Sequence, residues 1–109
     1  MKKTLKFDVE LDENQLPISI AMHEGDSREV EKGLKALMIS AWSAINKETL
    51  RIDLWTKDMP VNEMFIMYHQ TMMGMANTLK TATGHDKLAG ALHDYCDFFA
   101  EETKIKKEE

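Results

Sequence analysis

The chain has 109 residues, 43% of them hydrophobic and 30% charged, with a net charge of −5. That balance excludes a disordered chain and predicts one globular domain, residues 1–109, large enough to fold without a disulfide or metal staple. The acidic sign disfavours nucleic acid and anionic lipid as partners, because attraction to phosphate would be reversed.

Residues 4–11 alternate, with Leu5, Phe7, Val9 and Leu11 on one side and Lys6, Asp8 and Glu10 on the other, as in a strand with one wet face. Lys2 and Lys3 therefore lead into a strand and not an apolar stretch, so no secretory signal is expected. Asp12-Glu13-Asn14-Gln15 supplies turn residues, and Pro17 opens a second strand over 18–22, completing a hairpin. Residues 23–27 predict a loop in which Asp26 or Ser27 caps a short helix carrying Val30, Leu34 and Leu37 at helical spacing. Glu31 and Lys35 suit an i,i+4 pair on that helix, and Gly33 weakens it by about 1 kcal/mol.

Residues 38–45 fit a helix or a strand. The alternation of 50–55 beyond the turn-like Asn46-Lys47-Glu48 resolves them as a second hairpin. From Pro60 the period becomes helical. Val61, Met64, Phe65, Tyr68, Met72, Met75, Ala76 and Leu79 form a stripe, with Asp58 as the expected cap and Gly84 as the expected stop. Asp86 begins a second helix with Leu88, Leu92, Tyr95, Cys96 and Phe99 on one face. Lys104, Lys106 and Lys107 follow, suited to the negative end of the helix dipole, and the last five or so residues are expected to fray. The predicted fold class is α+β: a four-stranded antiparallel sheet of two hairpins with a short helix between them, covered by a C-terminal two-helix hairpin. No run of about 18 apolar residues exists, so neither direct membrane insertion nor lipidation is expected.

The candidate chemistry is sparse. Cys96 is the only cysteine, which excludes an intrachain disulfide and fits the cytoplasm. His93, Cys96 and Asp97 at i, i+3 and i+4 could meet at one metal if His69, His85 or Asp86 completed the shell. The plainer reading has Cys96 in the core and no resident cofactor. A thiol on an apolar stripe makes a poor nucleophile, and the five glycines form no phosphate loop. Methionine is unusually dense: Met59, Met64, Met67, Met72, Met73 and Met75 fall within 17 residues. Ile66, Met67 and Met73 lie off the main stripe and give this helix a second apolar side, a candidate surface for a protein partner or a second copy. Trp42 and Trp55 sit on neighbouring strands, where they either pair across the hairpin within the core or form an exposed hot spot.

The block Leu50-Arg51-Ile52-Asp53-Leu54-Trp55-Thr56-Lys57-Asp58-Met59-Pro60-Val61-Asn62-Glu63-Met64 resembles the GldC-type family of gliding-motility-associated proteins. So do Tyr68-His69-Gln70-Thr71, Met75-Ala76, and Asp94-Tyr95-Cys96-Asp97-Phe98-Phe99-Ala100-Glu101. The strand and turn from Leu5 to Pro17 is similar too, while residues 18–47 carry least of the likeness. The resemblance implies a soluble cytoplasmic accessory protein, not an enzyme, that accompanies the gliding and secretion machinery and binds one of its proteins or itself. It assigns no catalytic residue. The alternative function is a small metal- or ligand-binding domain using His69, His85, His93, Cys96 or Asp97.

Overall fold

The computed structural model describes residues 1–25 and 28–105. The chain forms two compact units, one spanning Met1–Met59 and one beginning at Pro60. Among the described residues, all strands lie in the first and both helices in the second.

The first unit contains β1 (Leu5–Leu11), β2 (Pro17–Glu24), β3 (Arg28–Leu34), β4 (Ala36–Ser43) and β5 (Glu48–Trp55). β1 and β2 pair antiparallel through Phe7↔Met22 and Val9↔Ile20, as the alternation predicts. Asp12 shapes their turn: its Oδ1 accepts the N–H of Asn14 at 2.8 Å and of Leu16 at 3.0 Å. Gln15 completes the turn in a left-handed conformation, φ 66°.

The expected four-stranded sheet is replaced by two sheets, β1-β2-β3 and β4-β5. The expected short helix is absent: its core, 28–34, is β3, which pairs antiparallel with β2 through Glu24↔Arg28, His23↔Glu29 and Ile20↔Leu34. Val30, Leu34 and Leu37 fit a helical period, but a strand with Gly33 loses little by extending, and the free edge of β2 offers it a ladder of hydrogen bonds. The two register shifts in this pairing hide its alternation from a simple pattern search. The expected caps Asp26 and Ser27 lie outside the described residues. Lys35 alone separates β3 from β4, so the chain leaves one sheet and enters the other at a single residue.

β4 and β5 form the second hairpin, in unbroken register from Ala36↔Trp55 to Ser43↔Glu48. A polar cluster ties the ends of the strands. Thr56, 1% exposed, donates its N–H to the Lys35 carbonyl at 2.8 Å and its hydroxyl to Asp58 at 2.7 Å. Lys35 Nζ reaches the same carboxylate at 2.7 Å. Asp58 is thus held by Lys35 and Thr56 and does not cap the helix. Lys57 Nζ bonds Asp12 at 2.9 Å, joining the β1–β2 turn to the chain leaving β5.

The second unit is a helical hairpin of α1 (Val61–Thr83) and α2 (Asp86–Thr103). Pro60 sits at the N-cap of α1, and Gly84 ends it at φ 73°, its N–H bonded to the Lys80 carbonyl. His85 caps α2 through Nδ1, which accepts the Leu88 N–H at 3.2 Å. Lys104 caps its C-terminus; Lys106 and Lys107 lie outside the described residues. Ala76, Ala89, Cys96 and Ala100 are the buried residues of this helix pair, small side chains that permit close approach of two backbones. Among the described residues, no helix is long and apolar enough to cross a membrane.

Candidate functional site

On α1, the three residues singled out as a second apolar side are all half-buried. Ile66 and Met73 lie on one flank, about 20° apart around the axis, and Met67 is about 100° further round. The most exposed apolar side chains belong instead to the expected core stripes. Val61, Tyr68 and Met75 on α1, and Leu88 and Tyr95 on α2, each keep 45% or more of their surface. The physical reason is width. The apolar arc on each helix is broader than the seam that one neighbouring helix can cover, and that seam is filled by alanine and Cys96.

One section of this arc is aromatic and ordered around one ring. Phe99 meets Phe65 edge-on with centroids 6.1 Å apart, stacks on Tyr68 at 6.5 Å and on His69 at 6.5 Å, and meets Tyr95 at 6.3 Å. Tyr95 in turn meets Phe98 at 5.8 Å. Six aromatic side chains from two helices thus make one patch, of which Phe98 is 54% exposed. Such rings offer large contact area at low entropic cost, the property that makes them anchors in protein interfaces.

The β4–β5 hairpin carries a second apolar surface. Directly opposed residues share a face, so Leu37, Ile39 and Ala41 form one apolar face with Leu54, Ile52 and Leu50. Leu50 and Ile52 remain more than half exposed. The opposite face carries Arg51, bonded through its guanidinium to both oxygens of Asp53 and to the Ser40 hydroxyl. Trp42 and Trp55 lie on this face but at opposite ends of the hairpin, opposite Thr49 and Ala36. They do not pair, and at 64% and 57% exposure neither is core.

The candidate metal ligands are dispersed. His69 stacks on Phe99, His85 caps α2, and Cys96 is fully buried, its thiol pushed up first by burial and then by the charge of Asp97. Among the described residues, the group whose ligand atoms all lie within 4.8 Å of one another is His93, Asp94 and Asp97, all exposed. Asp94, overlooked in the sequence, takes the place expected of Cys96. Its signal was the i, i+1, i+4 spacing that brings one exposed helical face together.

Among curated proteins and among solved structures, nothing matches the chain. A family model does match, over residues 17–105, and its description is gliding motility-associated protein GldC-like. The blocks at 50–64, 68–71 and 94–101 fall inside that match, and β1 precedes it. With most of its length covered, the chain belongs to the GldC-like family of gliding motility-associated proteins.

Proposed function

We infer that this is a non-enzymatic, cytoplasmic accessory protein that supports bacterial gliding and its associated secretion machinery by binding one of that machinery's proteins. The observation that carries the reading is the family match over residues 17–105. The aromatic patch around Phe99 supports it: Tyr68, Tyr95 and Phe98 expose 45–54% of their surface, the chemistry of an interface anchor. Ile66, Met67 and Met73 would offer a separate contact elsewhere on α1, since Ile66 and Tyr68 lie about 160° apart around its axis. Methionine adapts to irregular partner surfaces.

The test pairs genetics with co-purification. The tagged protein, expressed from its own promoter, should bring down components of the gliding or secretion machinery, and deleting its gene should impair spreading on a surface. Replacing Tyr68 and Phe98 by glutamate should abolish co-purification and leave spreading as impaired as deletion does, in protein whose helical circular dichroism is unchanged. Unimpaired spreading after deletion, with no machinery component recovered, would overturn the reading.

A further inference from the structure

The outer edge of β5 has no strand partner among the described residues. The direction of its backbone groups follows from its inner ladder. Thr56 donates its N–H to the Lys35 carbonyl, and the register continues from there without a shift. Hydrogen-bonded pairs alternate along an antiparallel ladder, so Leu54, Ile52 and Leu50 bond inward to β4. Trp55, Asp53, Arg51 and Thr49 then aim their N–H and C=O groups outward. At Lys57, which shares this parity, the outer edge is occupied: its N–H donates to the Pro17 carbonyl at 3.4 Å. Leu16 and Pro17 also line a cavity of about 290 Å³ with Trp55, Asp53 and Leu54, which brings the β1–β2 turn to that end of the strand. Among the described residues no backbone hydrogen bond is made on that side from Thr49 to Trp55, and every β5 side chain except Leu54 is exposed.

We propose that this edge pairs with the same edge of a second copy of the chain, antiparallel about a two-fold axis at Ile52, so that two β4–β5 hairpins become one four-stranded sheet. The charges select the occupant and the register. Pairing about Ile52 sets Arg51 opposite the second copy's Asp53, and Asp53 opposite the second copy's Arg51. Each Arg51 already holds its own Asp53 at 2.7 Å, so four charges of alternating sign share one face. A slip of two residues in one direction sets Arg51 against Arg51, and in the other Asp53 against Asp53. A slip of one residue turns the apolar face over. On that apolar face the proposed register places Ile52 against Ile52 and Leu50 against the second copy's Leu54, covering two side chains now left more than half exposed. An open edge bearing β-branched and apolar residues is a standing template for another strand, and here its own charge pattern fits itself. The short pairing implies a modest dissociation constant, on the order of 10 µM. It does not depend on the motility role, and it uses a surface distinct from the aromatic patch.

The experiment is the mass of the full chain in solution, by sedimentation or light scattering, against a monomer of 12.5 kDa. Wild-type protein should form a dimer at about 100 µM, well above the expected constant. Arg51→Asp and Asp53→Arg should each weaken self-association by at least about tenfold, because each sets like charges opposite one another. An equimolar mixture of the two variants should recover a dimer, since their charges are complementary only across the interface. A monomeric wild type, single variants that dimerise as tightly as wild type, or folded variants whose mixture stays monomeric would each overturn the proposal. Should the charge variants fail to fold, Ile52→Cys in a Cys96→Ala chain decides instead. Facing cysteines at a non-hydrogen-bonded pair should form a disulfide-linked dimer on mild oxidation, and a chain that stays monomeric on a non-reducing gel would overturn it.

Discussion

The strand unit and the helical unit were built from equally apolar stretches of sequence, yet they hold together differently. In the helical unit, the connection is two residues long, the caps are local, and small residues line the seam. In the strand unit the hairpins are joined by ties distant in sequence: Lys57 reaches back 45 residues to Asp12, and Lys35 reaches forward 23 residues to Asp58. Local order can be read from a window of sequence, whereas distant order depends on which edge happens to be free.

That contrast can be broken or sharpened by substitution. The largest effect is expected at Ile20, which lies on the central strand β2 and has no exposed surface. Ile20→Ala should cost about 3–4 kcal/mol, by transfer and cavity formation. Urea unfolding followed by tryptophan fluorescence measures it cleanly, because both tryptophans belong to the strand unit. A cost below about 1 kcal/mol would mean that β2 is not the centre of that unit's packing. Phe99→Ala comes next, at about 2–3 kcal/mol in a urea melt followed by helical circular dichroism, since four rings lose their common neighbour. Near-zero cost would reduce the aromatic patch to a set of independent surface residues.

Gly84→Ala tests local order alone. No heavy atom lies within 4 Å of where the new Cβ would sit, so the expected loss of about 1 kcal/mol comes only from the left-handed backbone at φ 73°. The smallest effect concerns Asp12, whose carboxyl is held below the usual carboxylate range by the Leu16 N–H first and by Lys57 second. A carboxyl lowered on folding contributes stability above its unfolded pKa, and that contribution is lost as pH falls through the folded value. Asp12→Asn should therefore melt slightly below wild type at pH 7, and the gap should close as the pH drops below about 4. A gap independent of pH would show that the turn geometry matters and the charge does not.

The likeness to the family was legible in short blocks such as 50–64 and 94–101, because they place unusual residues at fixed spacing. The candidate surface was only half legible. Methionine density drew attention to Ile66, Met67 and Met73, but the structure leaves Tyr68, Tyr95 and Phe98 more open to solvent. Periodicity finds an apolar arc without saying how much of it a neighbour will cover. The same limit applied to Trp42 and Trp55, whose register at opposite ends of the hairpin follows from the four-residue connection at 44–47. At His93 and Asp97 the helical spacing was sound, and the third member changed from Cys96 to Asp94 because burial turned the thiol inward.

Periodicity, turn chemistry and the stop at Gly84 were enough to establish β1, β2, the β4–β5 hairpin and both helices, while the N-caps proved to be Pro60, in place of Asp58, and His85. Each depends on interactions within a few residues or across one turn. Three features required the folded chain: the strand at 28–34, the division into two sheets at Lys35, and the choice of which apolar side chains remain in water. The first is a hairpin on the neighbouring β2 whose alternation is concealed by two register shifts, and the other two are settled by competition among separate segments for the same hydrogen-bonding edge or the same buried seam.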